Sequence, residues 1–386
     1  IKVEVGETHF GNATGFDGEF ASFSRAQASL KLMPLFSSQV EMNTLVFDDF
    51  TLNLHQRKDG TTNWDDLAKA GKDKPAGEKA PADDSVPAGA LALFVEGIEI
   101  RNSNVTFQDD KAGSTTSLTD FNLIAGQIGL QQNIPFSIGF KIKLSEPQIA
   151  GDYRIEGIAN IDPEGGLFEV RELSFDSAMT ATGLPVETID LGIKADLVFD
   201  TNLMQLQVKP FALQTTLKGD EIPNQTAELS VNTEIAFDAK AMAATLKPLS
   251  IGFPGGTMQG NFAYAQKGEK QKIDFDLTAD QIDVDRFVAP VPTSQVDVAD
   301  DKAAGSSAAG GKAANKPAAK ENQGLRNLLV NGDLKIGKLT KDALLITDIV
   351  MKIKMSDAVL DISPMTAKLY RGLANNAINV DLRGAS

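Results

Sequence analysis

With no cysteine in the chain, the side chains that could do chemistry are its two histidines and its many carboxylates. The missing thiols remove disulfides, thiolate nucleophiles and Cys-based metal sites together. His9 and His55 lie far apart in sequence, and neither has a second ligand at metal spacing. His9 sits in a polar opening stretch. His55 falls on the polar side of a strand whose apolar residues are Phe50, Leu52 and Leu54, so both read as surface imidazoles. The acids Asp274, Asp276, Asp280, Asp283 and Asp285 invite a calcium reading, but they lack the central glycine and terminal glutamate of an EF-hand loop. Asp274 and Asp276 alternate with apolar neighbours and belong to the wet face of a strand. Asp59-Gly60-Thr61-Thr62-Asn63-Trp64 also resembles a calcium loop with its glycine misplaced. A turn followed by a short helix over 64–69, capped by Asn63, accounts for these residues, and Trp64 then serves as a core anchor under that helix. No nucleophile elbow, phosphate loop or dinucleotide fingerprint occurs. The chain is therefore read as a non-enzyme with no catalytic residue, no metal site and no cofactor.

The elements that would position any site are strands. Phe136, Ile138, Phe140, Ile142 and Leu144 alternate with Ser137, Gly139, Lys141 and Lys143. Ile189, Leu191, Ile193, Ala195, Leu197 and Phe199 alternate with a mostly polar set. Leu229, Val231, Ile235 and Phe237 repeat the pattern, as do Ile273, Phe275 and Leu277, and Ile378, Val380 and Leu382. Period-two alternation gives a strand one apolar and one wet face. Strand signals recur roughly every ten to fifteen residues, for about twenty strands. Besides the turn at Trp64, Asp283 to Val288 and Asn322 to Leu329 are read as short helices. These are too few to cover so many apolar faces. The faces must meet one another, or line a concave surface that something else fills.

Composition narrows the occupant. The chain has 386 residues, 42% hydrophobic and 23% charged, with a formal net charge of -15. Phosphate-rich partners are repelled, so no nucleic acid is expected. No apolar run approaches the roughly 20 residues of a membrane helix. The opening Ile1-Lys2-Val3-Glu4-Val5 is an alternating strand, read as starting inside a longer protein. Aromatic residues are 21 Phe, three Tyr and one Trp. Phenylalanine gives apolar surface without a polar tip, which suits a dry core or acyl chains better than sugar or bases. Two stretches of small and polar residues, 71–88 and 294–323, cannot bury enough surface to order themselves and read as linkers. They separate blocks 1–70, 89–293 and 324–386.

Several segments together resemble one family. The run from Leu52 through Gly60, Asn63, Trp64 and Leu67 is similar to the signature of AsmA-like proteins, in which an amphipathic strand leads into Gly-x-x-Asn-Trp and a short helix. Ala28 to Leu35 resembles the strand and Pro-Leu turn before it. Gly97 to Asp109 resembles the next strand pair, and Ala279 to Phe287 the Ile-Asp-x-x-Arg segment. Leu369-Tyr370-Arg371-Gly372 resembles the family's Leu-Tyr-x-Gly strand end, although Leu373-Ala374-Asn375-Asn376 follows where more glycine is usual. The resemblance implies an all-β fold: an elongated, twisted, antiparallel-rich sheet curled into a groove or β-solenoid-like trough. It further implies a periplasmic location, an inner-membrane helix before this region, and possible envelope protein partners. The implied role is lipid transport and outer-membrane biogenesis, with phospholipid or another acyl lipid held in the groove. The groove candidates are Phe136, Ile138, Phe140, Ile142, Leu144, Ile189, Leu191, Ile193, Leu197, Phe199, Phe237, Phe275 and Leu277. Gly60, Asn63, Trp64, Leu67, Leu369, Tyr370 and Gly372 are expected to be structural. The same pattern admits a structural or assembly factor with sealed cores and no bound lipid.

Overall fold

Apolar residues recurring at every second position cannot form the stripe of a helix, but in an extended chain they all fall on one side. The computed structural model has this consequence throughout. It describes residues 2–29, 31, 40–65, 93–129, 132–287 and 323–383, and 73% of the described residues are in strands. The segments 71–88 and 294–322 lie outside them, as do Leu67 and the helix expected after Asp65. Packing divides the chain into two units, residues 1–220 with 228–236 and residues 221–227 with 237–386.

The first unit is built from β1 (Lys2–Val5), β2 (Thr8–Gly11), β3 (Glu19–Phe23), β4 (Arg25–Ser29), β5 (Val40–Met42), β6 (Leu45–Asp48), β7 (Thr51–Gln56), β8 (Leu93–Val95), β9 (Ile98–Asp109), β10 (Ser114–Ala125), β11 (Asn133–Leu144), β12 (Ile149–Asp162), β13 (Leu167–Ala181), β14 (Thr188–Asp200) and β15 (Gln205–Lys218), with most of β16 (Thr226–Asp238). From β9 to β15 each strand pairs antiparallel with the next in sequence. On the far side of β9 the order is different. β6 and β7 both lie parallel to β9, end to end, and β4 and β3 pair antiparallel with them. β1 and β2 form the outer edge, on β4 and β3 respectively. β5 and β8 make a separate parallel pair.

The second unit contains β17 (Ala243–Phe253), β18 (Gly256–Lys267), β19 (Lys270–Asp283), β20 (Leu328–Lys341), β21 (Leu344–Ser356), β22 (Val359–Leu369) and β23 (Gly372–Asp381). Consecutive strands pair antiparallel except β19 and β20, which are parallel. The expected helices shrink here. Val284–Arg286 is one 3-10 turn, and α1 (Gln323–Arg326) is a single turn. Leu328 and Leu329 instead enter β20, where pairing with Gln271 and Lys272 overrides local helix preference.

Bulges interrupt the long strands, and the sequence supplies residues that tolerate them. Asp49, Asn102 and Asp120 adopt φ of 53°, 51° and 53°, a left-handed region in which Asp and Asn are the commonest non-glycine residues. Their polar groups are satisfied locally. Asn102 Nδ2 donates to Asp49 Oδ1 at 2.7 Å, and Asn122 Oδ1 accepts from the Asn102 N–H at 3.0 Å. Asn104 Oδ1 accepts from the Asp120 N–H at 3.2 Å. Donation from Ser24 and Asn102 holds the Asp49 carboxyl below its usual range. Pro210, Pro248 and Pro364, which have no N–H to give a ladder, each fall where the register skips. Bulges bend and twist strands, and the long sheet they interrupt is not closed into a barrel.

Candidate functional site

Residues directly opposite each other across a ladder share a face, so the registers determine which side chains line up. In the first unit one row runs Val5, Ala26, Phe47, Ile100, Leu123, Ile138, Ile155, Phe175, Ile193, Leu213. A second runs Phe10, Ala21, Leu52, Val105, Leu118, Ile142, Gly151, Met179, Ile189, Leu217. Each row crosses ten strand positions without a charged residue, a span of roughly 43 Å at about 4.8 Å per strand. The candidates on β11 and β14 therefore stand on one common face.

Among the described residues, no second layer buries that face. No large side chain among the described residues falls below 2% exposure. Ile138, Phe140, Ile142, Ile189, Ile193 and Leu197 are half-buried. Phe168 and Phe199, cross-strand partners, are 39% and 36% exposed. The opposite face holds Lys141, Asp152, Arg154, Glu156, Asp176, Asp190 and Lys194, all exposed. Lys141 pairs with Asp120 at 2.8 Å, and the ammonium is held above its usual range by that partner.

Aromatic rings and glycines make the middle of the face continuous. Phe121, Phe140, Tyr153 and Phe175 form a ladder over four strands with centroid spacings of 6.4, 5.0 and 6.4 Å. Phe136 lies against Gly157 opposite it, where an added Cβ would come within 3.0 Å of the ring. The second unit repeats the arrangement. Leu246, Phe262, Phe275, Gly332, Ile353, Ile362 and Ile378 form a row across seven strands. Phe275 covers Gly332, and a Cβ there would fall 2.2 Å from the ring. Leu277 lies in the next row with Leu334 and Met351, beside a buried cluster of Ala279, Ile336, Ile349 and Ala367. Phe237 is half-buried on β16.

The chain matches the AsmA family over residues 1–248 and 250–386. The chain belongs to the AsmA family. No curated protein and no solved structure matches it. AsmA proteins are associated with the bacterial envelope. Among the described residues, no helix is long and apolar enough to cross a membrane.

The segment around Gly60 is a side-chain clamp. Asp59 Oδ1 accepts from the Thr61 N–H and hydroxyl at 2.9 and 2.7 Å, and Gly60 turns the chain at φ 86°. Asn63, 3% exposed, faces the sheet. Its Oδ1 accepts from the His55 N–H at 2.9 Å, and its Nδ2 donates to Asn12 Oδ1 and Asn53 O at 2.9 and 2.7 Å. The Thr62 N–H donates to Asp65 Oδ2 at 3.1 Å, and the Thr62 hydroxyl donates to Asp65 Oδ1 at 2.5 Å. Trp64 packs beside Phe107 at 6.1 Å and is half-buried. Leu369 and Gly372 pair at the β22–β23 turn, with Tyr370 80% exposed.

The titratable candidates are tied to local partners. His55 Nε2 meets Asp110 Oδ2 at 2.8 Å, and that contact lowers the Asp110 carboxyl. His9 lies between Glu19 and Glu7, which raise its affinity for a proton. Asp274 pairs with Lys272 at 2.7 Å, and Asp280 accepts from the Thr257 N–H at 2.6 Å. Asp283 caps the 3-10 turn, and Asp285 accepts from the Asp342 N–H at 2.6 Å. Four of the five acids thus serve separate ion-pair and backbone contacts.

Proposed function

We propose that this protein is a non-enzymatic lipid-binding groove, carrying phospholipid or another acyl lipid along its apolar face on the periplasmic side of the inner membrane. It would thereby contribute to outer-membrane biogenesis and lipid homeostasis. One observation carries the reading: apolar rows that cross ten strands while their large side chains stay half-buried or exposed. An acyl chain in water needs its methylenes covered, at about 0.8 kcal/mol each. Sixteen of them require on the order of 12 kcal/mol of apolar shelter, and a continuous row provides it without a reacting group. Membership in an envelope-associated family supports the setting.

A scaffold role in outer-membrane assembly is favoured by the small buried cluster around Ala279 and Ile336 in the second unit. Native mass spectrometry of protein purified from a Gram-negative host distinguishes the two. A groove retains lipid of defined mass under gentle extraction. Protein that emerges lipid-free, and takes up none from vesicles, is a scaffold.

A further inference from the structure

Between the two ten-residue rows of the first unit runs a third with different chemistry: Phe140, Tyr153, Ser177, Leu191, Thr215. It carries three hydroxyls in the middle of an otherwise apolar face. Tyr153 stacks on Phe140 at 5.0 Å and lies over Gly151. A Cβ at Gly151 would fall 2.8 Å from the phenol oxygen. That oxygen thus fills the place a side chain at 151 would take in the neighbouring row, between Ile142 and Met179. Among the described residues it has no hydrogen-bond partner. In the second unit, by contrast, the Tyr264 hydroxyl donates to Gln266 Oε1 at 3.0 Å. Ser177, directly opposite Tyr153, is 7% exposed, and Thr215 Oγ1 is buried without a partner.

Packing alone does not call for these hydroxyls. Phe121, Phe140 and Phe175 fill the same ladder with no polar atom, and an apolar body laid over the Tyr153 and Ser177 hydroxyls would strip their water at a cost unless it offered them acceptors. An occupant that supplies acceptors within an apolar body resolves the cost. In an acyl lipid those acceptors are the ester carbonyls, which lie where the chains begin.

We propose that the Tyr153 and Ser177 hydroxyls form a polar subsite that donates hydrogen bonds to the ester carbonyl oxygens of a bound lipid, so that the face prefers ester-linked over ether-linked chains. This rests on the lipid-groove reading. The test uses two vesicle populations, one of diacyl phosphatidylcholine and one of its dialkyl-ether analogue with the same chain lengths. Lipid captured by the full chain is measured by mass spectrometry. One net hydrogen bond predicts a preference for the ester lipid of roughly fivefold. Tyr153→Phe, which keeps the ring, removes most of that preference while capturing the ether lipid at the wild-type level. Ser177→Ala reduces the preference and provides a second variant should the first misfold. Equal capture of both lipids by the wild type overturns the subsite and leaves the groove standing, as does an undiminished preference in both variants. Capture of neither lipid by the wild type overturns both.

Discussion

Replacing Phe199 by glutamate separates an uncovered apolar face from a sealed core. Phe199 is 36% exposed, and its cross-strand partner Phe168 is 39% exposed. Full burial of a phenylalanine stabilises by up to about 3 kcal/mol, so a ring still about one-third wet contributes about 2. A carboxylate at that position reaches water, and Phe199→Glu should cost little more than that lost burial. In a sealed core the same change strands a charge and costs upward of about 4 kcal/mol. The single tryptophan, Trp64, lies in the first unit and reports on its unfolding. Urea titration followed by its fluorescence therefore isolates the relevant transition, while lipid co-purified with each variant is quantified in parallel. Phe199→Leu is the neutral control and should lose about 1 kcal/mol or less with lipid retained. Phe199→Glu should fold and lose lipid at least about tenfold, because an alkyl chain laid over it would have to desolvate the carboxylate. A glutamate variant that is unfolded in buffer, or folded with the wild-type lipid content, would refute the open-face argument.

Asn63→Ala should destabilise the first unit by about 2–3 kcal/mol, since it leaves the His55 N–H without its acceptor; an unchanged urea midpoint of Trp64 fluorescence would contradict this. Gly332→Val should lower the second unit's stability by about 1–3 kcal/mol through overlap with Phe275, seen as a lower thermal midpoint by circular dichroism. Gly139→Ala, whose nearest atom would be 4.0 Å away, is the near-neutral comparison. The Asp280 carboxyl is held below its usual range, chiefly by the Thr257 N–H. A carboxyl depressed in the folded state adds stability above its unfolded pKa near 4, and loses it as pH falls through the folded value. The second unit's urea midpoint, followed by circular dichroism, should therefore drop between about pH 5 and 3, and Asp280→Asn should make that decline shallower. An equally steep decline would show that other carboxyls dominate.

The long strands were legible because alternation in β11 and β14 is nearly unbroken and each residue's face follows from its parity. The common face of these strands was not, because parity says nothing about register; that required the pairings through Ile155 and Phe175. The parallel match of β19 to β20 was also hidden, since residues 284–327 separate the partners in sequence. Around Gly60 the turn could be read from its residue types. The partners of the Asn63 side chain were not legible, because Asn12 lies just beyond β2 and Asn53 and His55 belong to β7, and spacing does not show which backbone a buried amide meets. The bulges left a faint trace: Asp49, Asn102 and Asp120 interrupt apolar alternation with the residue types that tolerate a left-handed backbone. The Tyr153 hydroxyl left no such trace, because the glycine that makes room for it is two positions away and the ring's direction is not encoded by spacing.

From β9 to β15 every ladder joins neighbours in sequence, which makes this part of the chain extensible. Removing the β11–β12 hairpin would bring β10 beside β13 still antiparallel, with the apolar parity intact if the cut spans an even offset. The face would shorten by about 10 Å, two strand spacings. Duplicating the hairpin would lengthen it by the same step. Reach is thus set by hairpin number and local stability by the adjoining ladders, as in other quasi-one-dimensional folds. Gene-level insertion or loss of single hairpins could therefore adjust the distance spanned without redesigning a core.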